Sequence, residues 1–243
     1  MGFVHGKNTA VLAGNFDLTA YFNDVTTSAE VSADETTAFG NGDKTYIVGI
    51  GDGKISASGL FDTTAVLGAD VVLAAALGSA TPTNLLVAHS GLTVGNRCSL
   101  AAGLETSYEI AEKVTDVATV KADFQGSGGV DAGVVLAAAK SVATATTTNE
   151  ASVDNAASSA NGGTGWVHVT ANAHNAGTVV KVQHSADDST WVDLVTFATV
   201  ATTVLTAERV LVAAGTTVNR YLRATSTTSG TGAVVYTVAF ARR

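Results

Sequence analysis

The sequence predicts a mainly β protein with one flanking α-helix, and three observations carry that prediction. Thr, Val, Ser and Gly are abundant and charged residues make up only 14% of the chain, against roughly a quarter in ordinary soluble domains. A single proline, Pro82, leaves the apolar runs unbroken. Many of those runs are short, alternate with period two and are separated by turn residues.

The elements follow in order. Phe3-Val4, Ala10 to Leu12 and Asn15 to Phe22 read as strands, the last because Phe16, Leu18, Ala20 and Phe22 share one parity. Residues 23–43 are Thr, Ser, Ala, Asp and Glu with little to bury. They read as a loop of about 20 residues, and loops of that length are usually functional. Lys44 to Ile50 reads as a strand, Gly51-Asp52-Gly53 as a hairpin turn, and Lys54 to Phe61 as the antiparallel return. Asp62, Thr63 or Thr64 is placed to cap a helix that runs to about Leu77 and stops at Gly78. Its Val66, Ala69, Leu73 and Leu77 form one stripe.

Residues 84–89, 95–101, 106–118 and 120–124 read as further strands, and 134–142 is read as strand in preference to helix. The run 144–165 is small, polar and glycine-ended, the composition of a linker. Six short strands follow, over 166–171, 178–184, 190–197, 208–212, 221–225 and 234–240, with turn signals between several of them. That spacing predicts a compact β-sandwich, immunoglobulin-like or jelly-roll-like. The expected division is a first domain at 1–150, a linker at 151–165 and a second domain at 166–243. No internal repeat of fixed period is present.

Cys98 is the only cysteine, so no intrachain disulfide can form and a buried apolar role is expected. Met1 to Ala10 lacks a basic region followed by an apolar run, so no signal peptide is expected. Val66 to Leu77 is too short to span a bilayer, so folding in a cytoplasm without membrane attachment is the expectation. The net charge of −8 is uneven. Residues 1–150 hold 7 Lys/Arg against 16 Asp/Glu (−9), and residues 151–243 hold 6 against 5 (+1). A surface of that sign repels phosphate and argues against stoichiometric nucleic-acid binding.

Motifs for chemistry are missing. Gly40-Asn41-Gly42-Asp43-Lys44-Thr45 lacks the glycines of a phosphate loop, places Asp43 where it would repel the ligand, and precedes a strand. Gly49-Ile50-Gly51-Asp52-Gly53 has no third glycine at dinucleotide spacing. His5, His89, His168, His174 and His184 are scattered, and His168 and His184 read as polar or half-buried strand residues. No Gly-x-Ser-x-Gly elbow marks a nucleophile. Asp187-Asp188-Ser189 reads more simply as a hairpin turn than as a calcium site. No catalytic residue, metal ligand or cofactor is expected, and the reading is non-enzymatic.

The order of parts within Met1 to about Leu77 resembles the tail tube (major tail) proteins of long-tailed bacteriophages. The features that carry the resemblance are an N-terminal strand, a long polar loop, the strand Lys44-Thr45-Tyr46-Ile47-Val48-Gly49-Ile50 and a tight turn. The return strand Lys54-Ile55-Ser56-Ala57-Ser58-Gly59-Leu60-Phe61-Asp62 then runs into a short helix. The resemblance implies a small β-sandwich or barrel with one flanking helix. It also implies a virion structural protein, assembled in the host bacterial cytoplasm, whose homo-hexameric rings stack into a tube. DNA would pass through without sequence-specific binding, and the partners would be tape measure, terminator and distal tail proteins. Residues 182–194 and 219–225 resemble an added C-terminal phage sandwich.

Under that reading the loop at 23–43 reaches a neighbouring ring, with Asp24, Glu30, Asp34, Glu35, Phe39, Asp43 and Lys44 as its candidate contacts. Trp166, Trp191 and Tyr221 are candidates for an exterior binding surface. Two alternatives are a capsid decoration or tail terminator protein, and a carbohydrate-binding module that uses those three aromatics.

Overall fold

The computed structural model describes residues 3–63 and 68–243, and among them it forms sixteen strands and one α-helix. The first strands are β1 (Ala10–Ala13), β2 (Phe16–Asp17), β3 (Phe22–Glu35) and β4 (Tyr46–Leu60). The helix α1 (Ala69–Ala76) precedes β5 (Thr83–Ala88), β6 (Arg97–Ala111), β7 (Thr119–Gly126) and β8 (Asp131–Val142). Next come β9 (Thr146–Asn149), β10 (Val153–Asp154), β11 (Gly163–Asn172) and β12 (Thr178–Ser185). The chain ends with β13 (Val192–Thr196), β14 (Thr206–Val212), β15 (Tyr221–Thr228) and β16 (Val234–Arg242). The mainly β class with one helix is as the sequence predicts. None of the described helices is long and apolar enough to cross a membrane.

The chain divides into two compact units that are discontinuous in sequence. The first is Met1–Ala20, Asn84–Leu100 and Ala132–Arg243; the second is Tyr21–Thr83 and Ala101–Asp131. This division does not follow the expected breaks at 150 and 165. Residues 146–149 and 153–154, read as linker, are strands that pair antiparallel with β15. Arg220 grips Asp154 through Nε and Nη2, at 2.7 and 2.6 Å, which fixes β10 against the start of β15. Small polar residues at an edge need no core contact to form a ladder, so their composition hid the pairing.

In the first unit one sheet runs in the order β14-β11-β16-β8-β6-β5-β1-β2, and a second holds β10-β15-β12-β13 with β9 also on β15. Val167, Val169, Tyr236, Val238, Phe240 and Leu136 from the first sheet pack on Val180, Val182, Val195, Leu222 and Ala224 from the second. This sandwich contains the six strands predicted over 166–243, with period-two alternation on each inner face, and adds β8, β9 and β10 from outside that range. The opposite face of β11 is also dry: Thr164, Trp166 and His168 are fully buried. Strands buried on both faces read as continuous apolar runs, which is why β16 is buried from Val234 to Ala241 except at Val235. His168 donates from Nδ1 to the Gly14 carbonyl at 2.7 Å, and burial pushes its pKa down to about 4. The sequence reading of a polar or half-buried histidine is corrected to a neutral buried one. Cys98 is buried, as expected.

In the second unit the order is β3-β4-β7-β6, all antiparallel. Two expectations fail here. Residues 23–43 are mostly not a loop, since 22–35 form β3 and pair along the length of β4. The Gly51-Asp52-Gly53 turn does not exist either, because β4 runs straight through it. Gly53 serves close approach: a Cβ there would lie 2.7 Å from the Ser28 carbonyl and 2.8 Å from Val130 Cγ2. The connection is the segment 36–45.

The expected strand over 15–22 reduces to Phe16–Asp17, with Leu18 fully buried beside it. Helix α1 is shorter than its stripe suggested. Gly68 stands at its N-cap with no side-chain cap, and Gly78 at φ +74° stops it. Ala69 and Leu73 are buried as predicted, whereas Leu77 is 45% exposed. The cap candidate Thr64 and the stripe residue Val66 lie outside the described residues.

Glu105 on β6 is 94% buried against the Phe124 position of β7, and neither carboxylate oxygen has a hydrogen-bond partner. Burial raises its pKa from 4.5 to about 7.

Two outcomes follow. Trp166→Ala should lower stability by about 3–5 kcal/mol, read as a fall in urea midpoint, because it empties a fully buried site. For Glu105 the folded pKa lies above the unfolded one, so the folded state holds a proton that the unfolded state releases. Stability is therefore fully present below about pH 4.5 and falls as pH rises through about 7. Glu105→Gln should raise stability at pH 8 by about 1–3 kcal/mol and flatten that slope; an unchanged slope in melting temperature would refute the assignment.

Candidate assembly surface

The second unit concentrates the acidity of the chain. It holds 4 Lys/Arg against 14 Asp/Glu, a net of −10, while the first unit holds 9 against 7, a net of +2. The pairing register sorts these charges by face, since directly paired residues project to the same side of a sheet. Ile55↔Phe124, Ala57↔Ala122 and Gly59↔Val120 put one set of side chains on the dry face. On that face Tyr108 donates its hydroxyl to Asp70 of α1, tying the helix to β6.

The other face is wet. Thr26↔Ser56 and Ser28↔Lys54 lie between the exposed carboxylates of Asp24 and Glu30, and Glu30 stands opposite Asp52. Across β7 and β6, Ser56↔Asp123↔Ser107 and Ser58↔Lys121↔Glu109 continue it. Asp123 is held ionised by the Ser56 hydroxyl first, with Ser107 at 2.8 Å and Lys121 at 3.7 Å adding to the effect. Asn23, Ser58, Glu109 and Lys121 border a shallow hollow of about 290 Å³ there. This face is a hydroxyl-rich, net acidic wall that offers anions no cluster of cations.

Beyond Gly53 the unit thins to a two-stranded arm, because β7 pairs with β4 only from Lys54 onward. Pairing runs Glu30↔Asp52 and Val31↔Gly51, then resumes at Ala33↔Val48, Asp34↔Ile47 and Glu35↔Tyr46. β4 thus carries one extra residue between Val48 and Gly51, a bulge that shifts its parity. As a result Val31, Ala33, Val48 and Tyr46 continue the face that buries Ile55, while Glu30, Asp34 and Asp52 continue the acidic face. Val31 (61%), Tyr46 (55%), Val48 (83%) and Ile50 (85%) are all open to solvent. A lone two-stranded ribbon is marginal in water, and a contiguous apolar strip of this kind marks a contact surface. At the tip Lys44 bonds Glu35 at 3.0 Å, and that bond, then Thr37, lowers the Glu35 pKa.

The residues named from sequence are therefore partly sorted. Asp24, Glu30 and Asp34 share one face of β3, Glu35 pairs with Lys44 near the tip, and Phe39 and Asp43 lie in the exposed connection. Asp52, Asp123 and Glu109 were missed. The alternation Asp52-Lys54-Ser56-Ser58 was the available signal, obscured by reading the flanking glycines as a turn. Trp166 is fully buried under Arg209, 5.1 Å from its ring, and is no exterior contact. Trp191 and Tyr221 are half-exposed, each stacked by an arginine, Arg223 at 4.2 Å and Arg220 at 5.0 Å. Asp187 accepts from the backbone of Thr190 and Ser189 and from Ser185, bonds of a tight turn that also hold its pKa down. Among the described residues no group of three His, Cys, Asp or Glu is placed to hold a metal ion.

No family model and no curated protein matches this chain. Solved structures with partial similarity to this chain include a chain from the virion of a native gene transfer agent particle, 14% identical with a TM-score of 0.42. A chain from the tail of an empty gene transfer agent particle, refined with C6 symmetry, is 15% identical with a TM-score of 0.41. Each match covers 53% of this chain and 97% of the other. The Dit hub protein of phage SPP1 is 14% identical with a TM-score of 0.34, over 96% of this chain and 97% of that one.

Proposed function

We propose that the protein is a tail tube subunit whose second unit builds the wall of a conduit for DNA. The observation that carries this reading is the four-stranded sheet with one face covered by a helix, one acidic face in solvent and an unpaired edge at β3. Among the described strands β3 pairs only with β4, whereas β6 pairs with β7 and also with β5 and β8. An exposed strand edge is a template for pairing, and a closed ring of copies removes it. Joining the free edge of β3 to the sheet of a neighbouring copy would carry the acidic wall around a lumen. Six copies per ring is the number implied by the resemblance to tail tube proteins.

The net charge of −10 suits that wall, since a polyanion sliding past carboxylates and hydroxyls finds no cationic patch to arrest it. The arm supplies the contact between rings. Its apolar strip becomes buried when it lies on a neighbouring copy, and its acidic face stays continuous with the wall. In this reading Asp24, Glu30 and Asp34 line the conduit, whereas Phe39 and Asp43 at the tip meet the adjoining ring.

Concentrated protein should form hollow tubes or stacked rings in negative-stain electron microscopy. Val48→Asp, at a position 83% exposed, should leave the melting temperature of the monomer within about 1–2 °C and abolish long tubes. A strictly monomeric protein at every concentration and salt would overturn the proposal. Trimers or single rings without stacking would instead favour a decoration or terminator subunit.

A further inference from the structure

The outer face of the second sheet in the sandwich carries one cation whose geometry is fixed and whose two Nη groups, among the described residues, have no hydrogen-bond partner. Arg223 lies under Trp191, its guanidinium carbon 4.2 Å from the ring centroid, so its plane is set by stacking. Its Nε donates to Gln183 Oε1 at 2.9 Å. Gln183 is itself fixed, donating from Nε2 to Asp193 Oδ1 at 2.8 Å, and Lys181 bonds Asp193 Oδ2 at 2.7 Å. The chain Lys181–Asp193–Gln183–Arg223–Trp191 therefore holds the guanidinium from one side and one edge. Among the described residues neither Nη group has a hydrogen-bond partner, and Arg223 makes no contact ion pair, although Asp188 lies near enough to act on its charge.

Arg223 borders a groove of about 240 Å³ on the same face. The cross-strand pairs Gln183↔Arg223, Lys181↔Thr225 and Thr225↔Asn149 set its floor, with Thr147 and Thr227 beside them. Those neighbours are hydroxyls and an amide. The Asn149 side chain makes no hydrogen bond within the described protein, and Thr147 and Thr227 share one at 3.1 Å. The charge of Lys181 is already balanced by Asp193. What remains is a single planar, forked donor beside neutral hydrogen-bonding groups.

We propose that this groove binds a carboxylated sugar, with the carboxylate taken in a bidentate manner by the two Nη groups of Arg223. The sugar hydroxyls are met by Asn149, Thr147 and Thr227. A planar carboxylate matches the guanidinium fork, and one acid per sugar with hydroxyls on either side matches one cation with amide and hydroxyl neighbours. A densely charged phosphate polymer fits poorly, because the other cation lining the groove, Lys181, is already paired with Asp193. The site differs from an aromatic sugar platform: Trp166 is buried, and one face of Trp191 is occupied by Arg223.

The test is isothermal titration of the full chain with trigalacturonate, its methyl ester and inorganic polyphosphate, at low and moderate salt. Trigalacturonate should bind, and the methyl ester should bind at least tenfold more weakly, a difference of about 1.4 kcal/mol. Arg223→Gln should abolish binding, and Arg223→Lys should weaken it about tenfold because an ammonium cannot make the forked contact. Asn149→Ala should weaken binding with the acid preference intact, and unchanged melting temperatures would show that the variants fold. No binding of the acidic trimer at millimolar concentration, equal binding of its ester, or full affinity in Arg223→Gln would each overturn the proposal. Tighter binding of polyphosphate than of trigalacturonate would overturn the assignment to a sugar acid.

Discussion

The second unit depends on the register in which β4 lies between β3 and β7, because that register decides which side chains are dry. Slipping β4 by one residue would send Ile55 and Ala57 to water and bring Lys54 and Ser56 beneath helix α1. The bulge between Val48 and Gly51 uses the same logic locally. It returns Tyr46 and Val48 to the face of Ile55 after the glycine-rich stretch, so the apolar strip runs from the covered base of the sheet onto the open arm. One extra residue thus links the core of the unit to its contact surface.

In the first unit the governing feature is a central pair of strands, β11 and β16, dry on both faces. Alternate residues of β16 meet the second sheet, and the intervening ones lie with Trp166 and His168. Polar groups trapped there are satisfied locally where they can be, as by His168 on Gly14 and the Tyr236 hydroxyl on Ser226 at 2.8 Å. The outer face of the second sheet is free of that constraint. It spends its polar side chains on a surface network around Arg223 instead.

Charge follows the same partition. The carboxylates gather in the unit whose sheet has one face in water, and the sandwich is nearly neutral with a small excess of arginine. An acidic sheet face suits the passage of a polyanion, and a fixed guanidinium suits capture of a carboxylate. In the proposed reading the two surfaces meet different partners because they differ in sign.

Residue pattern alone was enough to read the mainly β class, the strands over 166–243, the buried Cys98 and the helix stop at Gly78. Each of these is a local matter of side-chain period, size or backbone freedom. It also showed that acidity lies early in the chain, though not that it shares one face. What escaped it was non-local. Residues 22–35 look like a loop because Thr, Ser and Asp bury nothing, yet they form a strand because β4 supplies the ladder of hydrogen bonds. Gly51 and Gly53 look like a turn because glycine permits one, and only the closeness of Ser28 and Val130 shows that Gly53 is there for space. Trp166 and Trp191 look alike in sequence, whereas one is sealed in the core and the other stacks on Arg223 at the surface. Those outcomes were decided by which strands meet, and pairing partners far apart in the chain leave no periodic trace in either partner alone.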